Sequence, residues 1–434
     1  MNRILPLLQQ PRLVKSSVMF RLQSSIRWKH TDAIPFRDFI EQHNRKYIMK
    51  RQNFFSKHMQ PNQSNLLDEN LIDYDPILTQ CMARWLWLNY KVTDYPYHDL
   101  NILNIFTDLP QAIYFMRRIM QYFHDILPSE SFERINYYLF PLYQCAKINK
   151  RNLLDDIPGN VRIMKDMTLF PMNKTIDFND RTNNVYINDP MQILMFNDIL
   201  GNLSHDLVKY HDVTQQWEQC YIEEETIKNM NERYFDDELD YWCDITIRQL
   251  FDTDFTDQIQ RNKNLHNEIF IPTQFIQLLE QLKLYVPDFR LFIIDSSGKK
   301  TDTFYSRLRD FLGYTRIGSS KILEPYDNWW VHNCSREDQA KNINPCITFQ
   351  PDFNHLEKIL TNVSENDTRY GFLKPCEIET LGEFCDKWVD HKIKETKTSV
   401  TTSQDNNSIP TEFLQKLKLQ LDLSTKSSLN ILHS

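Results

Sequence analysis

Asn197 and Asp198 stand directly after the short apolar run Ile193 to Phe196. An amide beside a carboxylate at the carboxyl end of a strand is where open α/β sheets seat their ligands. The same two residue types also cap turns, so binding and capping both stay open at this position. Asp177, in Thr175-Ile176-Asp177-Phe178, reads either as a ribose-binding acid after a second strand or as an ordinary loop carboxylate. Asp295 ends the apolar run Leu291 to Ile294, and Ser296-Ser297-Gly298 after it makes a turn just as readily. No P-loop, H-E-x-x-H, EF-hand or G-x-S-x-G pattern occurs. The cysteines are scattered without a C-x-x-C pair, which indicates neither a zinc cage nor a disulfide framework, and no metal is expected.

The elements that must position these residues follow from periodicity. Ile77, Leu78, Cys81, Met82, Trp85, Leu86 and Trp87 recur at helical spacing, and Phe115, Ile119, Met120 and Phe123 repeat that pattern over Ile113 to Ile126. From about Ile135 the pattern changes to short apolar runs between helical stretches: Ile135 to Phe140, Val161 to Met164, Val185 to Ile187, Ile193 to Phe196 and Leu291 to Ile294. Such runs suit buried strands, so the expected fold is α/β with a mostly parallel sheet. Gln60 to Asn65 reads as a loop and Ser399 to Ser408 as a polar linker, with Phe413, Leu414, Leu417, Leu421 and Leu423 marking a short amphipathic helix beyond it. The acids between Gln219 and Asp244 read as a solvated face or protruding hairpin, or else as a docking surface for a basic client.

Residues 1–31 carry six basic side chains and interspersed serines, with no acid before Asp32, as a mitochondrial presequence does. Without those six, 44 Lys+Arg face 58 Asp+Glu, a net charge of −14 that disfavours nucleic-acid partners. No apolar window is long enough for a membrane span. Glycine is scarce, and the first is Gly159. A nucleotide-type cofactor at the end of the first strand normally needs glycine, because a Cβ blocks the backbone's approach. With Ile135 to Phe140 taken as that strand, the chain continues Pro141-Leu142-Tyr143-Gln144, which expects crowding where a cofactor would lie.

The segment Phe196-Asn197-Asp198-Ile199-Leu200-Gly201-Asn202-Leu203-Ser204-His205-Asp206, followed by Trp217, resembles the Asn-Glu-x-x-Asp-x-Leu-Pro segment and downstream tryptophan of the MidA-like family. Its members are mitochondrial S-adenosylmethionine-dependent protein arginine methyltransferases associated with complex I assembly. Glu268 to Thr273 and Leu291 to Gly298 look like the family's approach to its Leu-x-x-Asp-Tyr/Phe-Gly strand, and Cys346 to Phe353 is similar to its Asp-Ile-Thr-x-x-Val-Asp-Phe stretch. The resemblance implies a seven-stranded methyltransferase sheet with additional helices, S-adenosylmethionine as cofactor, and a mitochondrial, matrix location with a protein client. It also implies that Asp198 orients a substrate guanidinium and that Asn197 holds substrate or cofactor, since a protonated arginine needs a carboxylate partner in demanding geometry. The resulting organisation is a presequence (1–31), an N-terminal helical region (32–130), a methyltransferase-like α/β domain (131–392) and a polar linker with a short helix (393–434). The departures are the missing glycine-rich loop and N-terminal Gly-Asp-Phe-x-Thr-Ser segment, Asp198 for Glu, Gly201 for Asp, Ser204 for Pro, Cys346 for Asp and Pro351 for Val. Two functions follow: an active arginine methyltransferase, or a non-catalytic relative that binds a client.

Overall fold

Leu100–Phe106 forms an interior strand of a seven-stranded sheet even though two asparagines interrupt its apolar run. The computed structural model describes residues 33–58, 76–107, 109–143, 154–164, 190–196, 199–211, 214, 216–223, 233–251, 268–286, 288–296, 321–323, 347–365, 376–390, 415, 419–420 and 429–434. The strands are β1 (Ala33–Pro35), β2 (Leu100–Phe106), β3 (Ile135–Pro141), β4 (Asn160–Ile163), β5 (Met191–Met195), β6 (Asp206–His211), β7 (Gln216–Glu223), β8 (Arg233–Asp236), β9 (Glu268–Ile271), β10 (Phe289–Ser296), β11 (Lys321–Leu323), β12 (Thr348–Gln350), β13 (Glu377–Thr380) and β14 (Leu429–His433). The helices are α1 (Phe36–His58), α2 (Ile77–Thr93), α3 (Leu109–Ile126), α4 (Ser129–Phe132), α5 (Ile199–Asn202), α6 (Tyr241–Leu250), α7 (Thr273–Tyr285), α8 (Phe353–Glu365) and α9 (Leu381–Trp388).

The main sheet runs β13-β14-β10-β5-β2-β3-β4. Neighbours from β10 through β4 pair in parallel, and β14 pairs antiparallel with both β10 and β13. One face packs under α2, α3 and α9 through residues such as Leu86, Phe115, Phe123 and Phe384, and the other under α6, α7 and α8 through Ile247, Phe275, Leu279 and Ile359. Strands covered on both faces read as near-continuous apolar runs, which is why β3, β5 and β10 were legible.

Two strands of this sheet correct the expected boundaries. β2 lies inside the stretch 32–130 read as helical, and β14 inside 393–434 read as linker and helix. The first strand is therefore Leu100–Phe106, and Ile135–Pro141 is its neighbour. Asn101 and Asn104 hid β2 by breaking its apolar pattern, yet both find buried partners. The Asn101 amide donates to the Pro190 carbonyl at 3.3 Å and its oxygen accepts from Asn136 at 3.1 Å, while Asn104 donates to the Tyr137 hydroxyl at 3.2 Å. β14 hid because it is five residues long and ends in His433. Val185 to Ile187, Gln60 to Asn65, Ser399 to Ser408 and most of the 413–423 helix lie outside the described residues.

A second sheet orders β1-β7-β6-β9, with β8 on the far side of β7. Apart from β1 it is built from chain inserted between β5 and β10, and Phe36, Phe39 and Ile40 of α1 pack on it. The acidic segment supplies part of β7 and all of β8, which pair antiparallel within this sheet.

Candidate functional site

At β2 and β5 the strand order reverses: β3 and β4 lie to one side, β10 and its neighbours to the other. The chains leaving two such strands turn to opposite faces, and the crevice outside their carboxyl ends is the usual ligand seat of an open α/β sheet. Here that crevice is lined by Asn104, Ile105, Phe106, Thr107, Gln111, Ala112, Phe196 and Ile199, and encloses about 190 Å³ including space open to solvent.

The crevice is closely packed. Phe196, just past β5, stacks on Phe115 of α3 with ring centroids 4.6 Å apart, and both rings are buried. The Leu142 amide donates to the Phe106 carbonyl at 2.8 Å, so the β2–β3 pairing continues past the end of both strands. Tyr143, fully buried, donates its hydroxyl to the Asn202 carbonyl at 3.3 Å, tying the segment after β3 to α5, with the Arg45 guanidinium 5.3 Å over its ring. Only residues 107 and 108 separate β2 from α3, and Pro110 in the first turn of that helix has no N–H to offer an anion. Asn104 is fully buried, and its side-chain oxygen accepts no hydrogen bond among the described residues.

Phe196 and Ile199 line this crevice, but Asn197 and Asp198, which stand between them in the sequence, are outside the described residues, as is Asp177. Asp295 is buried in β10 opposite Asn430 and does not line the crevice. Pro141 to Gln144 are not the turn after the first strand, as expected, but follow the second. The residues that sequence reasoning missed are Asn104, Thr107, Gln111 and the bridging Tyr143. Locating β2 would have exposed the first three, and no local signal marks Tyr143.

The three sequence blocks meet beside the crevice. β6 pairs with β9 from Asp206 opposite Ile271, the Ser204 amide donates to the Gln274 side chain at 2.6 Å, and His205 stacks on Phe349 at 4.2 Å. A proline at 204 would lack that N–H. A Cβ at Gly201 would stand 3.3 Å from the Phe349 carbonyl oxygen, closer than most such contacts, so a carboxylate there would crowd β12. Burial drives the pKa of His205 down to about 3, and its Nδ1 is 2.9 Å from the Leu203 carbonyl, so the neutral ring donates there.

Behind these blocks Arg37 reaches Asp206 at 2.7 Å and Asp240 at 2.9 Å, and Gln219 donates to both carboxylates. Asp240 also caps α6 by accepting from the Trp242 and Cys243 amides. Part of the acidic segment is thus internal, and the reading of it as wholly solvated does not hold for Asp240. Burial pushes Asp206 up to about 6 against the pull of Arg37, while at Asp240 the pull of Arg37 and the capping amides outweighs burial and lowers the carboxyl. Among the described residues, Glu377, Glu379 and His433 have ligand types within reach of one cation, but the Lys387 ammonium lies 3.0 and 2.8 Å from the two carboxylates and already supplies that charge.

Comparison with known proteins gives this sequence its relatives. The sequence is 33% identical over 445 aligned residues, spanning 100% of both chains, to the mitochondrial protein arginine methyltransferase NDUFAF7 homolog of Saccharomyces cerevisiae. Solved structures similar to it include an uncharacterized ACR superfamily protein from Burkholderia thailandensis (9% identity, 96% of this chain and 90% of that chain, TM-score 0.47). Another is the plantazolicin methyltransferase BpumL in complex with SAH (10% identity, 92% and 97%, TM-score 0.33). The full-length relative agrees with the mitochondrial location that the first 31 residues suggested. With residues 81–329, from α2 past β10, matched by the family's own pattern, the chain belongs to the S-adenosyl-L-methionine-dependent methyltransferases of the MidA-like type.

Proposed function

We propose that this chain acts in the mitochondrial matrix on a protein client during respiratory-complex assembly, as a member of the arginine methyltransferase line. The end-to-end 33% identity to a mitochondrial protein arginine methyltransferase carries this reading. In the methyl-transferring form, Asp198 orients the client guanidinium, Asn197 holds it or the cofactor through its amide, and Asp177 binds the cofactor's ribose. Positioning and fixed charge supply most of the acceleration in such a transfer.

The second reading, a non-catalytic client-binding protein, is favoured by one observation: the described residues do not fit the cofactor. Phe106, buried at the end of β2, and the Phe196 ring line the crevice, and a side chain at that strand end keeps a ligand from the backbone. Client work in assembly is tested by deleting the gene and resolving mitochondrial respiratory complexes on native gels. Stalled assembly intermediates, rescued by the full chain, are expected; an unchanged pattern of complexes would remove the reading. Incubating the purified chain and a mitochondrial extract from the deletion strain with methyl-labelled S-adenosylmethionine separates the two forms, since only the catalytic one labels arginine.

A further inference from the structure

Aromatic rings wall the switch-point crevice and brace it from behind: Phe106 and Phe196 line it, while Phe115 and Tyr143 pack in the core layers beside it. Phe106 ends β2 where the family's glycine-rich loop would begin, and it is 3% exposed. A side chain at this point keeps a ligand from the backbone. Its carbonyl is taken by the Leu142 amide at 2.8 Å, which continues the β2–β3 ladder past the last residue of both strands. Across the crevice the Phe115–Phe196 stack joins α3 to the end of β5. Beyond it, the Tyr143 hydroxyl binds the Asn202 carbonyl and bridges the segment after β3 to α5. Together these contacts link β2, β3, β5, α3 and α5.

From this we infer that the crevice has become an internal brace, in which Phe106 and Phe196 stand in its wall and Phe115 and Tyr143 hold that wall from the two core layers behind it, so that the chain binds neither S-adenosylmethionine nor S-adenosylhomocysteine there. The inference rests on the family assignment only for the choice of ligand, and it stands or falls independently of the client reading. A chain without cofactor can still serve assembly, and a chain with cofactor can fail to.

The test has two arms on the purified full chain. Equilibrium dialysis with labelled S-adenosylmethionine and S-adenosylhomocysteine up to 1 mM is expected to show no saturable binding, and saturable binding of either overturns the inference. Thermal unfolding of Tyr143→Phe and Phe196→Ala reads the brace itself. Tyr143→Phe keeps the ring and loses only the hydroxyl bond, so its midpoint should fall by a few degrees. Phe196→Ala should fall further, or not fold. A Tyr143→Phe midpoint equal to that of the wild type, or a Phe196→Ala protein of full stability, would show that these contacts brace nothing.

Discussion

Replacing Arg37 with Met leaves two buried carboxylates facing each other without their shared cation. In the wild type the guanidinium is 2.7 Å from Asp206 and 2.9 Å from Asp240, and those side chains are 0% and 13% exposed. Removing one partner from a buried ion pair generally costs about 3–5 kcal/mol, because the remaining charge is stranded. Folded domains have only about 5–15 kcal/mol of stability, so the Arg37→Met protein should be marginal at neutral pH. The deficit also has a sign in pH. With Arg37 present, burial already holds Asp206 up to about 6, above the ordinary 3.8; without it, the downward pull is lost while burial and Asp240 still push upward. A raised folded pKa means that the folded state binds the proton more tightly than the unfolded state, so stability is lost as pH rises through that pKa. The difference in urea midpoint between wild type and Arg37→Met should therefore be large at pH 7.5 and shrink at pH 5. A deficit below about 1 kcal/mol, in the range of an exposed pair, or one that does not change with pH, would refute the argument.

His205 titrates the other way. Its folded pKa lies near 3 against 6.5 in the unfolded chain, so the unfolded state gains a proton as pH falls below 6.5 and folding loses about 2 kcal/mol between pH 7 and pH 5. His205→Gln should flatten that part of the stability profile whatever its absolute effect, and an unaltered slope in chemical denaturation would show that the ring is not buried neutral. Restoring the family's acid with Gly201→Asp should destabilise by about 1–3 kcal/mol through overpacking, since even its Cβ would stand 3.3 Å from the Phe349 carbonyl. A thermal midpoint matching the wild type would show that β12 does not lie against α5.

The sequence was most legible where burial makes strands uniformly apolar. Ile135 to Phe140, Ile193 to Phe196 and Leu291 to Ile294 all lie in or beside strands of the main sheet, and the helical runs around Trp85 and Phe115 pack on one of its faces. It failed at β2, because a strand interior can hold Asn101 and Asn104 once neighbouring strands satisfy their amides, and those partners are remote in the chain. That one miss moved the expected cofactor turn from Phe106 to Pro141. The glycine argument survives the move, since neither turn has a glycine. Arg37 was invisible for the same reason as β2: its partners lie 169 and 203 residues away, and nothing in its immediate neighbours distinguishes a buried arginine from a surface one.

The central point is that side chains fill the seat between β2 and β5. It is tested most directly by a crystal structure of the full chain grown with millimolar S-adenosylhomocysteine. Phe196 stacked on Phe115, the Tyr143 hydroxyl on the Asn202 carbonyl, and no nucleoside between Asn104 and Phe196 are expected. Ordered ligand density at that position, with the two rings displaced, would contradict it.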